Sequence, residues 1–213
     1  MKLRVRNILY NLIERFEVLQ SLQNEMITAY DLLRECYRFK NKVLICGNGG
    51  SAADSEHIVG ELMKGFILER PLDDITKNIL KERDFSLHSI IDRLQGTLRA
   101  ISLVSQKSLI TAVMNDIDED MVFAQQVYGY LDENDVLIAL STSGNSSNIV
   151  NAAKIARVLN GKVLSITGEH GGELKKLSNV SLCIPSNETY KIQEYALPIY
   201  HALCAMLEEE FFY

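Results

Sequence analysis

Residues 42 to 57 read KVLICGNGGSAADSEH: an apolar run, a glycine-rich turn, then the start of a helical pattern. Val43 to Cys46 is too short for a helix and apolar at every position. That marks a strand covered on both faces, as in a parallel sheet. Gly47, Gly49, Gly50 and Ser51 then fall at the carboxyl end of the strand, where glycine lets the backbone approach a ligand and a helix N-terminus offers free N–H groups. Helical spacing from Ala52 to Met63 puts His57 and Glu61, four residues apart, on one side of the same helix.

The alternation repeats downstream. Apolar runs at Ala100 to Val104, Val136 to Leu140, Val163 to Ile166 and Val180 to Ile184 read as strands. Helical stretches at Ser108 to Val113, Met121 to Tyr130, Asn148 to Leu159, Glu173 to Leu177 and Thr189 to Glu210 separate or follow them. The expected fold is α/β: a doubly wound, five-stranded parallel sheet with helices on both faces. Upstream, Leu9, Leu12, Ile13, Phe16, Leu19 and Leu22, then Met26, Ile27, Leu32 and Leu33, predict one or two amphipathic helices over 1–40. Their apolar face suits either the core or a second subunit. Residues 69–96 break the alternation. They are charged and contain Pro71, yet Ile75, Ile79, Leu80, Leu87, Ile90, Ile91 and Leu94 keep helical spacing, so a helical excursion that returns to the sheet near Ala100 is expected.

Composition narrows the function. With 213 residues, 47% hydrophobic and 23% charged, the chain fits one large domain, 1–213. A net charge of −6 without a basic run argues against a nucleic-acid partner. Neither a signal peptide nor a membrane span is apparent, so a cytoplasmic protein is expected. Cys36, Cys46, Cys183 and Cys204 stand far apart in apolar surroundings and form no CxxC pair, the pattern of buried thiols.

A second turn resembles the first in chemistry. Val136 to Leu140 ends in STSGNSSN, so Ser141, Thr142, Ser143 and Ser146 gather hydroxyls at another strand end, ahead of a helix. Hydroxyls and N–H donors together make a cradle for a phosphate group; the plainer alternative is that the serines only cap the helix. The first turn also satisfies the loose pattern GxGxxA, with Glu69 at the distance of a ribose-binding acid. Glu69 lies in a charged stretch instead of ending a second strand, which argues against a nucleotide cofactor. For chemistry, His57 and Glu61 are joined by Gln193, Glu194 and His201 in IQEYALPIYHALC.

Five segments in order, GNGGSAADSEHIVGEL (47–62), Asn115-Asp116, STSGNSSN (141–148), SITGEHGGEL (165–174) and IQEYALPIYH (192–201), resemble the sugar isomerase (SIS) domain of the phosphoheptose isomerases. The resemblance implies a flavodoxin-like sheet and a homotetramer with active sites between subunits. It also implies conversion of sedoheptulose 7-phosphate to D-glycero-D-manno-heptose 7-phosphate through an enediolate. It places zinc on His57, Glu61, Gln193 and His201, with Glu61 and His201 the catalytic pair. Substrate contacts fall on Asn48, Gly49, Gly50, Ser51, Glu61, Asn115, Asp116, Ser141, Thr142, Ser143, Ser146 and Gln193. On a straight helix residues 193 and 201 are about 12 Å apart along the axis. Assembly of the site between subunits, or a Gln193 that mainly touches substrate, would reconcile that spacing with the family's ligand set. The chain departs from the family in carrying Tyr195-Ala196 where histidine is common, in Pro198, which should interrupt the last helix, and in the length of 69–96. The alternative function is a non-catalytic SIS protein that binds a phosphosugar or the replication initiator. Such a protein is expected to lose Glu61 or His201, and this chain keeps both.

Overall fold

The computed structural model describes residues 1–213, without the side chain of Phe85. The five apolar runs form strands β1 (Val43–Gly47), β2 (Ala100–Ser102), β3 (Val136–Leu140), β4 (Lys162–Gly168) and β5 (Val180–Ile184). All pair in parallel, in the order β2-β1-β3-β4-β5. Val43 stands opposite both Ala100 and Val136, which fixes the register of β1 against the edge strand β2 and against β3. β2 is shorter than its apolar run because the chain turns after Ser102, where the Leu103 amide still bonds to the Ile45 carbonyl.

Among the described residues ten α-helices accompany these strands: α1 (Leu3–Arg15), α2 (Gln23–Arg38), α3 (Gly50–Met63), α4 (Asp74–Arg83), α5 (His88–Ile91), α6 (Lys107–Asp116), α7 (Val122–Tyr130), α8 (Ser147–Val158), α9 (Gly172–Leu177) and α10 (Thr189–Phe212). Strand residues alternate between two cores, as the pleat requires. Val43, Ile45, Ile138, Leu164 and Ile166 pack with side chains of α1, α2, α3 and α10. Leu44, Cys46, Leu137, Ala139 and Val163 pack with α6, α7, α8 and α9. Each fully buried Val, Leu or Ile contributes about 1.5–3 kcal/mol, so both faces of every central strand hold the layers together. Order 2-1-3-4-5 reverses its winding between β1 and β3, and a crevice opens there at the strands' carboxyl ends.

The N-terminal segment breaks at Phe16, whose backbone leaves the helical region, and a 3-10 turn over Glu17–Leu22 connects α1 to α2. Val5, Leu9, Leu12 and Ile13 are buried, and α1 packs on α10. The apolar face of α1 is thus occupied by its own chain. α10 runs through Pro198 without a break, contrary to the expected interruption. Glu194, whose carbonyl loses its donor to the proline, lies at an exposed position where water can replace it, and packing on α1, α2 and α3 holds the helix straight on. All four cysteines are free; Cys36, Cys46 and Cys204 are buried and Cys183 is half-buried. Among the described residues no helix is long and apolar enough to cross a membrane.

The excursion over 69–96 contains α4, a 3-10 turn at Phe85–Leu87 and α5, and is closed at its base. Pro71 and Gln95 form an antiparallel bridge, and the Gly96 amide donates to the Arg70 carbonyl at 2.6 Å. Just inside the base, Arg70 and Glu208 are both 1% exposed and form an ion pair at 2.6 Å. Arg70 also donates to the carbonyls of Glu61 (2.9 Å) and Leu62 (2.8 Å), near the end of α3. Glu208 accepts the backbone amides of Phe66, Ile67 and Leu68 at 2.8–3.0 Å. One buried pair therefore ties α3, α10 and the neck of the excursion to each other.

Candidate active site

The two turns singled out in the sequence meet across the β1/β3 crevice. Asn48 Nδ2 donates to Asn148 Oδ1 at 2.9 Å, and Asn148 Nδ2 donates back to Asn48 Oδ1 at 3.0 Å. Neither helix that starts here is capped by a side chain: Gly49 precedes α3, and Ser146, at the cap position of α8, makes no side-chain cap bond. The Ser146 hydroxyl instead faces that of Ser141 at 3.1 Å. The plain capping role fails for Ser146, and two helix N-termini are left to present amides toward an anion. Gly144 holds the serine turn closed. Its φ is +68°, and a Cβ there would lie 2.1 Å from the Gly171 carbonyl oxygen.

Asn48, Gly49, Gly50 and Ser143 are exposed, Thr142 and Ser146 half-buried, and Ser51 and Ser141 buried beneath them. Gln193, from α10, crosses over the glycine turn so closely that a Cβ on Gly50 would be 2.5 Å from its Nε2. Asn115 and Asp116 bond to each other at the end of α6, exposed. The turn after them delivers Asp120 to the Ser147 hydroxyl at 2.6 Å. Glu69 is exposed at the neck of the excursion, well before β2, and ends no strand.

A second cluster lies further along α3. The helices α3 and α10 run side by side in the same direction, with contacts stepping from Gly50–Gln193 to Asp54–Tyr200 to His57–His201. His57 Nε2 is 3.1 Å from Glu61 Oε1 and 3.5 Å from His201 Nε2, so the expected catalytic pair converges on one imidazole. The His57 and His201 rings meet edge to face at 4.9 Å, and the Phe66 ring lies tilted to His201 at 5.3 Å. Lys64 Nζ, 3.3 Å from Glu61 Oε2, adds a positive charge beside the carboxylate. Burial first, then the neighbouring His57, push the His201 imidazole below its ordinary value, so it is neutral at neutral pH and free to take up a proton. Of the four expected zinc ligands, His57, Glu61 and His201 come together and Gln193 stays two turns away at the cradle. Their side chains form a string through His57, and among the described residues no closed group of three His, Cys, Asp or Glu is arranged around one point.

Sequence reasoning passed over Asp54, Tyr200, Asn148, Arg70 and Glu208. Tyr200, 2% exposed, donates to Asp54 Oδ1 at 3.1 Å and sits 3.0 Å from His57 Nδ1. Burial, then the charge of Asp54, raise the Tyr200 phenol far above its ordinary range, so it keeps its proton. Asp54, three residues before His57 on α3, was the one available signal, since that spacing shares a helix face.

The parallel-sheet fold with two turns at its switch point is that of a SIS domain: two family models, each described as SIS domain, match residues 101–208 and 9–106. Phosphoheptose isomerases from Helicobacter pylori (39% identical, 91% of this chain and 88% of that one) and Aliarcobacter butzleri (35%, 91% and 89%) are similar over nearly the whole length. The solved phosphoheptose isomerase of Neisseria gonorrhoeae matches with a TM-score of 0.73 at 30% identity, over 97% of each chain. The chain belongs to the SIS-domain phosphoheptose isomerase family.

Proposed function

We propose that the protein is an aldose–ketose isomerase that converts sedoheptulose 7-phosphate to D-glycero-D-manno-heptose 7-phosphate. The observation that carries this reading is the meeting of Glu61 and His201, from helices 140 residues apart in sequence, at His57. Asn48, Gly49, Gly50, Ser51, Ser141, Thr142, Ser143 and Ser146, with the first turns of α3 and α8, hold the phosphate, and Gln193, Asn115 and Asp116 touch the sugar. Binding the distant phosphate positions the reacting end. Glu61 removes a proton from C1 of the ketose, giving a cis-enediolate, and returns it to C2. His201 moves the accompanying proton between O1 and O2, so the carbonyl passes from C2 to C1 with no net gain or loss of atoms.

Two imidazoles and a carboxylate are the donor types zinc prefers, and the 3.1 and 3.5 Å separations at His57 are near those between neighbouring ligands about 2.0–2.1 Å from one ion. His57, Glu61 and His201 would hold it, and the charge supplied there would polarise the sugar carbonyl. Gln193 lies too far along α10 to join them from the same chain, and its place over Gly50 fits a substrate contact.

Glu61 follows Gly50 by eleven residues of α3, about 16 Å along the axis. An extended seven-carbon sugar phosphate spans about 10 Å at ordinary bond lengths. The Glu61 carboxylate reaches back to His57, so cradle and cluster stand near the limit of one substrate's reach in a single chain; a homo-oligomer, a tetramer by family, would relieve that limit by pairing the cradle of one subunit with the catalytic cluster of another. Residues 1–213 read as one SIS domain around a single sheet.

The test is turnover of sedoheptulose 7-phosphate, followed by NMR, with and without added zinc. Glu61→Gln should fold and bind the phosphosugar while losing at least about 10²-fold in kcat. Phosphosugar binding by the wild-type protein with no aldose formed would remove the isomerase assignment.

A further inference from the structure

We propose that Tyr200 and Asp54 are positioning residues that fix the tautomer of His57 and aim its Nε2 at Glu61 and His201. A phenol has one proton to donate. Tyr200 gives it to Asp54 Oδ1 at 3.1 Å, so toward His57 Nδ1, 3.0 Å away, its oxygen can only accept. Nδ1 therefore carries the proton, and in the neutral ring Nε2 is left bare. That bare nitrogen faces a carboxylate oxygen at 3.1 Å and a second imidazole nitrogen at 3.5 Å. Two lone pairs at that separation repel unless a positive centre stands between them. The chain Asp54–Tyr200–His57 thus prepares Nε2 to share a cation or a proton with Glu61 and His201, instead of spending it on a hydrogen bond of its own. Rigid placement supports the same role: Tyr200 is buried, its ring lies edge-on to His57 at 5.6 Å and to His201 at 5.0 Å, and it rises from the same helix as His201. Carboxylate partners of metal-bound histidines act in this way, and here a tyrosine is interposed.

The metal half of this inference rests on the zinc reading above; the tautomer half does not. The experiment uses the metal-free full-length protein, with the imidazole nitrogens of His57 resolved by 15N NMR, in the wild type and in Tyr200→Phe, which keeps the ring and removes only the oxygen. Wild-type His57 should show a protonated Nδ1 and a bare Nε2, and Tyr200→Phe should move the neutral ring toward the Nε2–H form. Zinc titration should show a 10–100-fold weaker affinity in Tyr200→Phe, the usual cost of losing such a partner. Phosphosugar KM should stay unchanged while kcat falls, because the Tyr200 hydroxyl bonds to Asp54 and His57 and to no residue of the cradle. A wild-type ring protonated on Nε2, a tautomer that Tyr200→Phe leaves unaltered, or a zinc affinity that does not change would each overturn the proposal. If the wild-type protein shows the expected tautomer and binds no zinc, the positioning role stands and the zinc reading falls.

Discussion

Asn48 and Asn148 exchange two amide hydrogen bonds across the crevice, and each side chain thereby fixes the other in a single orientation. Because an asparagine amide can both donate and accept, the pair is reciprocal, and Asn148 Oδ1 also accepts the Ile149 amide, so the glycine turn is tied to the first turn of α8. Asn48→Asp retains the shape and replaces a donor with a negative charge at the mouth of the cradle. It should raise KM for the phosphosugar by about 10-fold or more, as one good charge-assisted contact is converted to repulsion. Steady-state kinetics would check this, and an unchanged KM would place the phosphate elsewhere. At this scale the sequence was most informative where a motif is local. The glycine and serine turns could be read because their residues are adjacent, whereas Tyr200 gains its meaning only from Asp54 and His57, 146 and 143 residues away.

The helix α3 is held at both ends, by the glycine turn at its start and by Arg70 and Glu208 near its finish. In the sequence, Glu208 looks like part of a solvated acidic run, Glu208-Glu209-Glu210, yet it is the most deeply buried carboxylate of the three. Burial alone would raise its pKa; the amides of Phe66, Ile67 and Leu68, with Arg70, outweigh burial and hold it below the ordinary 4.5. An unfolded chain therefore takes up this proton before the folded one as the pH falls. The stabilisation is complete above about pH 4.5 and is lost as the pH drops through the lower, folded-state value. Glu208→Gln leaves Arg70 buried without its counter-charge, so it should cost about 3–5 kcal/mol at pH 7. The variant should lose less further stability than the wild type on acidification. Urea unfolding at pH 7 and at pH 4 measures both effects, and parallel pH profiles would refute the assignment. Element boundaries were legible to within a few residues because strand and helix periods differ so sharply. The continuous α10 was not, since the rule that proline breaks helices describes isolated helices, and α10 is packed along its length.

For the whole molecule, the proposed sharing of a site between subunits would make activity a property of the assembly. Two variants, Asn48→Asp, slow at phosphosugar concentrations below its raised KM, and Glu61→Gln, each damage a different half of the site. If the halves come from different subunits, mixed oligomers contain some sites with both halves intact. Co-refolding equal amounts should restore activity to up to about a quarter of wild type. No recovery in verified mixed oligomers would put both halves in one chain. The spacing of positions 50 and 61 on one helix could be read from the sequence, whereas the sharing of a site between subunits entered only through the family resemblance. The parallel sheet itself was legible, since runs apolar at every position are what two covered faces require.

The closed base of the excursion has a consequence for how this protein can change. Pro71 bridges Gln95 and the Gly96 amide is bonded to the Arg70 carbonyl, so the chain leaves the body and re-enters it at nearly the same place. Whatever lies between those points is invisible to the sheet. Its length can drift over generations without disturbing the register of β1 and β2, and a laboratory can graft a fluorescent tag or an affinity handle onto the tip of the same stalk.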